Sequence, residues 1–323
     1  MKILITGVHG FVGSNLVSAL KGKNTIYGLD IVSPTKEGVE QTFSWDCLEK
    51  EGEIPEVDAI IHLAGKAHDT KKQAAAEVYF KVNCDLTIKV FDYFSSHAGI
   101  KKFVFFSTAK AAADVVDGVL TEDVVPAPVG PYGESKIAAE NYILSCMSEH
   151  PDVFTDRGVY IFRPCMIHGP GNKGNLNLLY NVVRKGIPWP LGAFENFRTF
   201  TSVENICFAV NGVLTKDVES GIYNMGDDEA LSTNELIEEI CLSLGKKPRI
   251  WRLPKGLMTF LATVGGWLHL PLNRERLRKL TEDYVASNAK IKAALGIDRM
   301  PVGAREGLKV TLESFKQNPS SPS

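Results

Sequence analysis

MKILITGVHGFVG, residues 1–13, decides the fold. Ile3, Leu4 and Ile5 form a short apolar run, after which the chain passes Gly7, Gly10 and Gly13 and enters a segment carrying Phe11, Leu16, Val17 and Leu20 at helical spacing. Strand, glycine turn and helix in that order open a dinucleotide-binding βαβ unit. The glycines let the backbone turn sharply, let a phosphate approach the main chain and let the helix pack close to the strand. The helix N-terminus offers free N–H groups and a positive dipole end to an anion. The spacing is G-x-x-G-x-x-G rather than G-x-G-x-x-G, and the absence of a following Lys-Ser or Lys-Thr pair excludes a nucleotide-triphosphate loop.

Downstream segments extend the pattern. Thr25–Leu29 reads as a second strand ending in Asp30. An acid there accepts hydrogen bonds from the adenosine ribose and repels a 2′-phosphate, so Asp30 points to NAD; the competing reading is a turn-forming Asp ahead of Pro34. The run DAIIHLAG, residues 58–65, suits a strand buried on both faces. Its His62 is read as a satisfied core histidine, with His68 in the next loop a weaker candidate for substrate contact. Spacing predicts a helix from about Ala74 to Ser96 with Val78, Val82, Leu86, Val90 and Phe94 as its core stripe and Asn83 beside it, tying helix to strand ends. The strand at 102–106, KFVFF, ends in Ser107 and Thr108, at the edge where parallel sheets bind ligands.

PYGESK, residues 131–136, is the second decisive segment. Tyr132 and Lys136 are four apart at the start of a predicted helix and share a face. An ammonium near the phenol, with a positive nicotinamide, stabilises phenolate and lowers the tyrosine pKa, making Tyr132 an acid/base. Read alone, Y-x-x-x-K describes a solvated helix pair; after a glycine turn, a second-strand acid and a strand ending in Ser-Thr it describes a reacting pair.

Composition narrows the rest. With 323 residues, 44% of them hydrophobic, the chain can bury a large core plus a smaller one, and a net charge of −2 gives no reason to expect nucleic acid as a partner. Six scattered cysteines, Cys47, Cys84, Cys146, Cys165, Cys207 and Cys241, form no C-x-x-C pair or metal-ligand cluster, so free thiols in a reducing, cytoplasmic setting and no metal are expected. The first strand begins at residue two, leaving no secretory leader, and Leu257–Leu270, interrupted by Gly265 and Gly266, is too short to insert across a membrane and is read as a buried or interface helix pair, with contact to a membrane surface the lesser reading. The tail 317–323, QNPSSPS, is expected to be disordered.

Taken together, TGVHGFVG, LDI, DAIIHLAG, VNCDLT, FVFFSTA, PYGESK, RPCMIHGPG, RTFTSVEN and YNMGDDEALS resemble, in order and over nearly the whole chain, the extended short-chain dehydrogenase/reductases of the nucleotide-sugar epimerase/dehydratase group, of the UDP-glucose 4-epimerase-like kind. The resemblance implies an α/β fold: a Rossmann-type doubly wound parallel sheet in residues 1–167 plus about 200–222, and a smaller C-terminal α/β substrate domain in 168–199 and 223–316. It implies NAD held by Gly7, Gly10, Phe11, Val12 and Gly13 on the pyrophosphate side, Asp30 and Ile31 on the ribose, Asp46 and Cys47 near adenine, and Leu63, Ala64, Gly65 and Asn83 along the groove. Catalysis falls to Thr108, Tyr132 and Lys136, the last also holding the nicotinamide ribose, and nucleotide-sugar binding to Thr108, Asn177, Arg198 and Arg278. Asn205 stands where the resemblance expects an acid, and a homodimer through the Tyr132 helix and its neighbour is implied.

Two enzymatic readings share these residues. One is a 4-epimerase of a UDP-hexose or UDP-N-acetylhexosamine working through a transient 4-keto sugar. The other is a 4-ketoreductase or 4-dehydrogenase for a 4-keto-6-deoxy sugar in surface-polysaccharide synthesis. A 4,6-dehydratase is disfavoured, because Ala109 and Lys110 occupy the positions of that subgroup's Asp-Glu pair. A reading of another class, a non-catalytic dinucleotide-binding sensor, fits poorly with retention of Thr108, Tyr132 and Lys136 together.

Overall fold

A computed structural model describes residues 1–32, 34–67, 75–172, 174–267 and 273–317. In chain order its first half runs β1 Lys2–Thr6, α1 Phe11–Leu20, β2 Thr25–Leu29, β3 Gln41–Phe43, β4 Ala59–His62, α2 Ala76–Phe80, α3 Leu86–Ser96, β5 Lys102–Phe106, α4 Ala109–Ala112, β6 Val119–Leu120, α5 Pro131–Glu149, α6 Pro151–Phe154 and β7 Gly158–Pro164. The second half continues with β8 Met166–His168, α7 Asn175–Arg184, β9 Phe197–Arg198, β10 Phe200–Ser202, α8 Val203–Thr215, β11 Gly221–Met225, β12 Leu231–Ser232, α9 Thr233–Ser243, α10 Lys255–Trp267, α11 Arg274–Thr281, β13 Val285–Ala286, α12 Ala289–Leu295 and α13 Ala304–Gln317.

Seven strands form one sheet in the order β3-β2-β1-β4-β5-β7-β11, every neighbouring pair parallel. The strand order turns back between β1 and β4, which opens a crevice at their carboxyl ends. Both faces are covered, as the unbroken apolar character of β1, β4 and β5 requires. Leu16 and Leu20 of α1, Ile206 and Val210 of α8 and Ile291 of α12 pack on one face; Phe91 and Phe94 of α3, Ile143 of α5 and Phe154 of α6 pack on the other. The Rossmann-type doubly wound sheet is therefore present.

The later elements gather around a second core of Tyr180, Leu236, Ile240, Leu312 and Phe315, contributed by α7, α9 and α13. A boundary at 222–223 falls inside β11, and α12 packs on the main sheet through Ile291 and Leu295.

Three expectations change. The helix expected over 74–96 is interrupted by a π-helical turn, Lys81–Asp85. That extra residue per turn shifts the phase, so Val78 is exposed, Val82 and Leu86 are half-buried, and the inward positions are Asn83, Cys84, Thr87, Val90, Phe91 and Phe94. The apolar stretch at 257–270 is not a helix pair broken at the glycines: α10 runs through Gly265 and Gly266 to Trp267, with one face buried and the other bare. The final helix reaches Gln317, and the remaining tail, like His68, lies outside the described residues.

Candidate active site

Gly7 closes β1 in the left-handed region, φ +67°, and a Cβ there would meet the Ala64 backbone nitrogen at 3.0 Å. At Gly13 a Cβ would lie 2.4 Å from the Gly7 carbonyl oxygen, so α1 can start this close to the turn only with glycine at that position. Asp30, just past β2, braces the same turn: its Oδ2 accepts from the His9 N–H (3.0 Å) and its Oδ1 from the Ile31 N–H (2.8 Å). Each oxygen keeps a lone pair for a ribose hydroxyl. Ile31 is 85% exposed beside it. Asp46 bonds to Lys50 (2.9 Å) and to Ser44 on an exposed turn, with Cys47 buried behind.

His62 is fully buried, with Thr6 Oγ1 2.7 Å from Nδ1 and Thr87 Oγ1 2.9 Å from Nε2, and it stacks on Phe105. Burial, helped by the Lys136 charge, pushes its imidazole down to about 3, so it stays neutral and structural. Asn83, turned inward by the π-helical turn, accepts from the Lys66 N–H (2.7 Å) and donates to the Lys66 carbonyl (3.1 Å) and Ser135 Oγ (3.0 Å). It thereby clamps the loop after β4 to α5.

Pro131 starts α5, and its first turns carry the reacting pair. Thr108, the N-cap of α4, lines the same cleft as Tyr132. Burial pushes the Tyr132 phenol up, opposed by the Thr108 side chain, so the chain by itself does not lower this pKa toward neutrality; such a lowering needs the positive nicotinamide. Lys136 is 4% exposed; its Nζ donates to the Phe106 carbonyl (2.7 Å) over the Phe105 ring, and a Cβ on Gly65 would sit 3.2 Å from it. Burial pulls its ammonium down to about 8, against the raising effect of Glu140.

Below Lys136, Glu140 and Arg163 form a buried pair, Nε to Oε1 and Oε2 at 3.1 and 3.0 Å and Nη2 to Oε2 at 2.5 Å, and Ser107 donates to the same carboxylate.

One cleft of about 520 Å³ runs from Gly7, Gly10 and Gly13 past Leu63 and Gly65 to Thr108, Tyr132 and Lys136, and on to Asn172, Asn175, Arg198, Glu282 and Tyr284. The structure thus brings together most of the expected site. Of the expected cofactor residues, Asp30, Ile31, Asp46, Cys47, Ala64 and Asn83 lie outside its lining, and of the expected substrate residues Asn177 and Arg278 do. Asn177 sits one turn into α7, next to Asn181, while Arg278 faces Asp114 and Glu282 at 3.6 Å each. In their place stand Asn172 from the irregular loop, Asn175 at the start of α7, and Lys110, Glu282 and Tyr284. Lys110 Nζ is held by Asp114 (3.0 Å) and lies over the Tyr284 ring. Arg198 anchors on backbone carbonyls of Lys279 and Glu282 at the end of α11.

Asn205, in place of an acid, donates to Asp227 Oδ1 (2.8 Å) and the Val302 carbonyl (2.8 Å) and accepts from the Val302 N–H (3.1 Å). Asp227 also accepts from the Ser202 N–H and faces His168, so Asn205 closes a buried polar network.

A buried ammonium that burial has partly neutralised costs the fold stability, because the folded pKa, about 8, lies below the unfolded value of about 10.4. The cost is full below the folded pKa and fades as pH rises toward the unfolded one. Lys136→Met should therefore melt at or above the wild-type temperature at neutral pH, with the gap narrowing above pH 8. Its turnover should fall by on the order of 10²–10⁴-fold. Thermal melts across pH, beside rate measurements, check both.

The chain is similar to several known proteins. The model of the NAD dependent epimerase/dehydratase family matches residues 3–226. A UDP-glucose 4-epimerase of Vibrio cholerae is 28% identical, covering 98% of this chain and 96% of that protein. An N-acetyl-alpha-D-glucosaminyl-diphospho-ditrans,octacis-undecaprenol 4-epimerase of Escherichia coli O157:H7 is 28% identical over 90% of this chain and 84% of that protein. Among solved structures, MoeE5 in complex with UDP-glucuronic acid and NAD superposes with a TM-score of 0.76 at 22% identity, covering 98% of this chain and 99% of that one.

Proposed function

The chain belongs to the NAD dependent epimerase/dehydratase family, and from that premise we propose that it is a nucleotide-sugar 4-epimerase acting on a UDP-hexose or UDP-N-acetylhexosamine through a transient 4-keto sugar. The observation that carries this reading is the single cleft joining the glycine turn to Thr108, Tyr132 and Lys136 and then to Arg198.

NAD fits the residues present. Gly10 and Gly13 leave a cradle that a Cβ would fill, Asp30 offers acceptors to a ribose, and Gly65 leaves open the space above Lys136. When bound, the cofactor takes up and returns the hydride of the sugar C4. Thr108 holds the C4 hydroxyl, Tyr132 Oη takes its proton as the carbonyl forms and gives it back afterwards, and Lys136 holds the nicotinamide ribose and favours the phenolate. Leu63 and Phe106 give the cleft apolar surface beside Thr108 and Lys136. Arg198 offers the diphosphate its remaining donors.

In this reading residues 1–167 with 200–225 and α12 form the dinucleotide lobe and the remainder the sugar lobe. The enzyme works in the cytoplasm, in keeping with its free cysteines, and pairs through the outer faces of α3 and α5.

The test is to release and identify the nucleotide from purified protein, then supply UDP-hexoses and UDP-N-acetylhexosamines with no added cofactor. Epimer formation is expected. Turnover only with a 4-keto sugar plus reduced cofactor would overturn the reading in favour of a single reduction.

Asp30→Ala should weaken NAD by roughly ten- to hundredfold, the loss of a hydrogen bond to a charged group. Lys36, which feels the Asp30 charge and donates to Ser14 Oγ at 2.7 Å, is then left beside the ribose, and NADP should gain relative to NAD. Titration of both nucleotides measures the exchange of preference.

A further inference from the structure

α10 is apolar on both faces. Met258, Ala262 and Gly265 are buried, Met258 and Ala262 packing with Leu277 of α11 and with Leu191. On the outside Leu257, Phe260, Leu261 and Trp267 are 45, 62, 44 and 82% exposed. Such a contiguous bare face is unusual on a monomer. No charged residue occurs between Lys255 and Arg274, yet the surroundings are strongly basic: residues 246–279 hold nine of the chain's thirty-six lysines and arginines and one of its thirty-eight acids. Arg249, Arg252, Lys255 and Arg274 are all exposed. The basic excess is thus local, in a protein whose net charge is −2.

From this pairing of an apolar face with a basic rim, we infer that the outer face of α10 docks on an anionic lipid surface. Phe260 and Trp267 enter the headgroup boundary while the surrounding arginines and lysines engage lipid phosphates. A second copy of the chain fits less well, since a two-fold contact through this face would set the same basic rim against itself. α10 packs on α11, whose last carbonyls hold Arg198 at the cleft. Docking therefore brings the sugar half of the cleft close to the lipid surface, and no part of the chain needs to cross it; among the described residues no helix is long and apolar enough to do so.

The experiment is flotation of the full chain with vesicles of phosphatidylcholine alone or of an equal mixture of phosphatidylglycerol and phosphatidylcholine. Binding to the anionic vesicles is expected, weakened by salt and by about fivefold for each of Arg249, Arg252 and Lys255 replaced by Gln. In wild type the tryptophan emission should shift to the blue and be quenched by brominated lipid. The double variant Phe260→Ser, Trp267→Ser should lose binding by on the order of a hundredfold. It should keep wild-type turnover of a soluble UDP-sugar, which separates failure of docking from failure of the epimerase reading.

Absence of flotation with anionic vesicles overturns the inference, as does flotation that neither salt nor these variants alter. A wild-type dimer by sedimentation that the double variant converts to monomer also overturns it, assigning the face to self-association. Should the double variant fail to fold, the salt dependence and lipid quenching of the wild-type chain decide.

Discussion

Tyr132→Phe is expected to lower the epimerisation rate by on the order of 10³-fold, the usual contribution of a positioned acid/base, while the bound nucleotide stays in place. The substitution removes one oxygen from a ring whose surroundings persist: Tyr79 packs edge-on against it, and α5 keeps its start at Pro131. Thr108 Oγ1 still accepts from the Lys110 N–H, so the local fold has no cause to collapse. A rate measured under single-turnover conditions, beside the nucleotide released per chain, separates the two effects. Full turnover by this variant would remove the assignment of Tyr132, and with it the enzymatic role of the cleft.

The largest effect on stability is expected at Glu140. Glu140→Ala leaves Arg163, 1% exposed, as an uncompensated buried guanidinium, and should cost about 3–5 kcal/mol. That is a large share of the whole stability of a typical domain. The Ser107 hydroxyl is orphaned as well. Removing both charges, Glu140→Leu with Arg163→Met, should recover much of the loss, since the desolvation of the pair no longer has to be offset. Denaturant titrations of Glu140→Leu, Arg163→Met and the double variant form the cycle that measures this coupling. Glu140 also raises the Lys136 pKa, so any Glu140 variant that still folds should lose its ammonium at a lower pH and shift the basic limb of the rate profile downward. If both single variants are as stable as wild type, the pair has no such role.

The parts of this site whose residues lie close together along the chain are legible in the sequence. The glycine turn, Asp30, and the Tyr132–Lys136 pair each carry a local physical requirement: backbone room, an acceptor at a strand end, two side chains one helical turn apart. Asn83 is legible as a residue but not in its mechanism, because its inward pose depends on a π-helical turn that hydrophobic spacing alone does not announce. The substrate half is the least legible. Glu282 and Tyr284 reach the cleft from far along the chain, and Asn172 reaches it from a loop and Asn175 from the first position of α7, where no periodicity yet fixes which asparagine points inward. Arg198 stands out in the sequence, yet its anchoring on the last carbonyls of α11 follows only from the tertiary fold.

The Asn205–Asp227 contact bears on how the chain can change over generations. An acid restored at 205 while Asp227 remains would set two carboxylates at hydrogen-bond distance inside a buried network, and one of them would have to hold a proton at neutral pH. An acid at 205 would also lose the donor that Asn205 gives the Val302 carbonyl, so the two positions are not interchangeable. Substitutions at 205 and 227 should therefore be epistatic: the effect of a change at one depends on which residue stands at the other, and the order in which changes arise constrains which sequences are reachable.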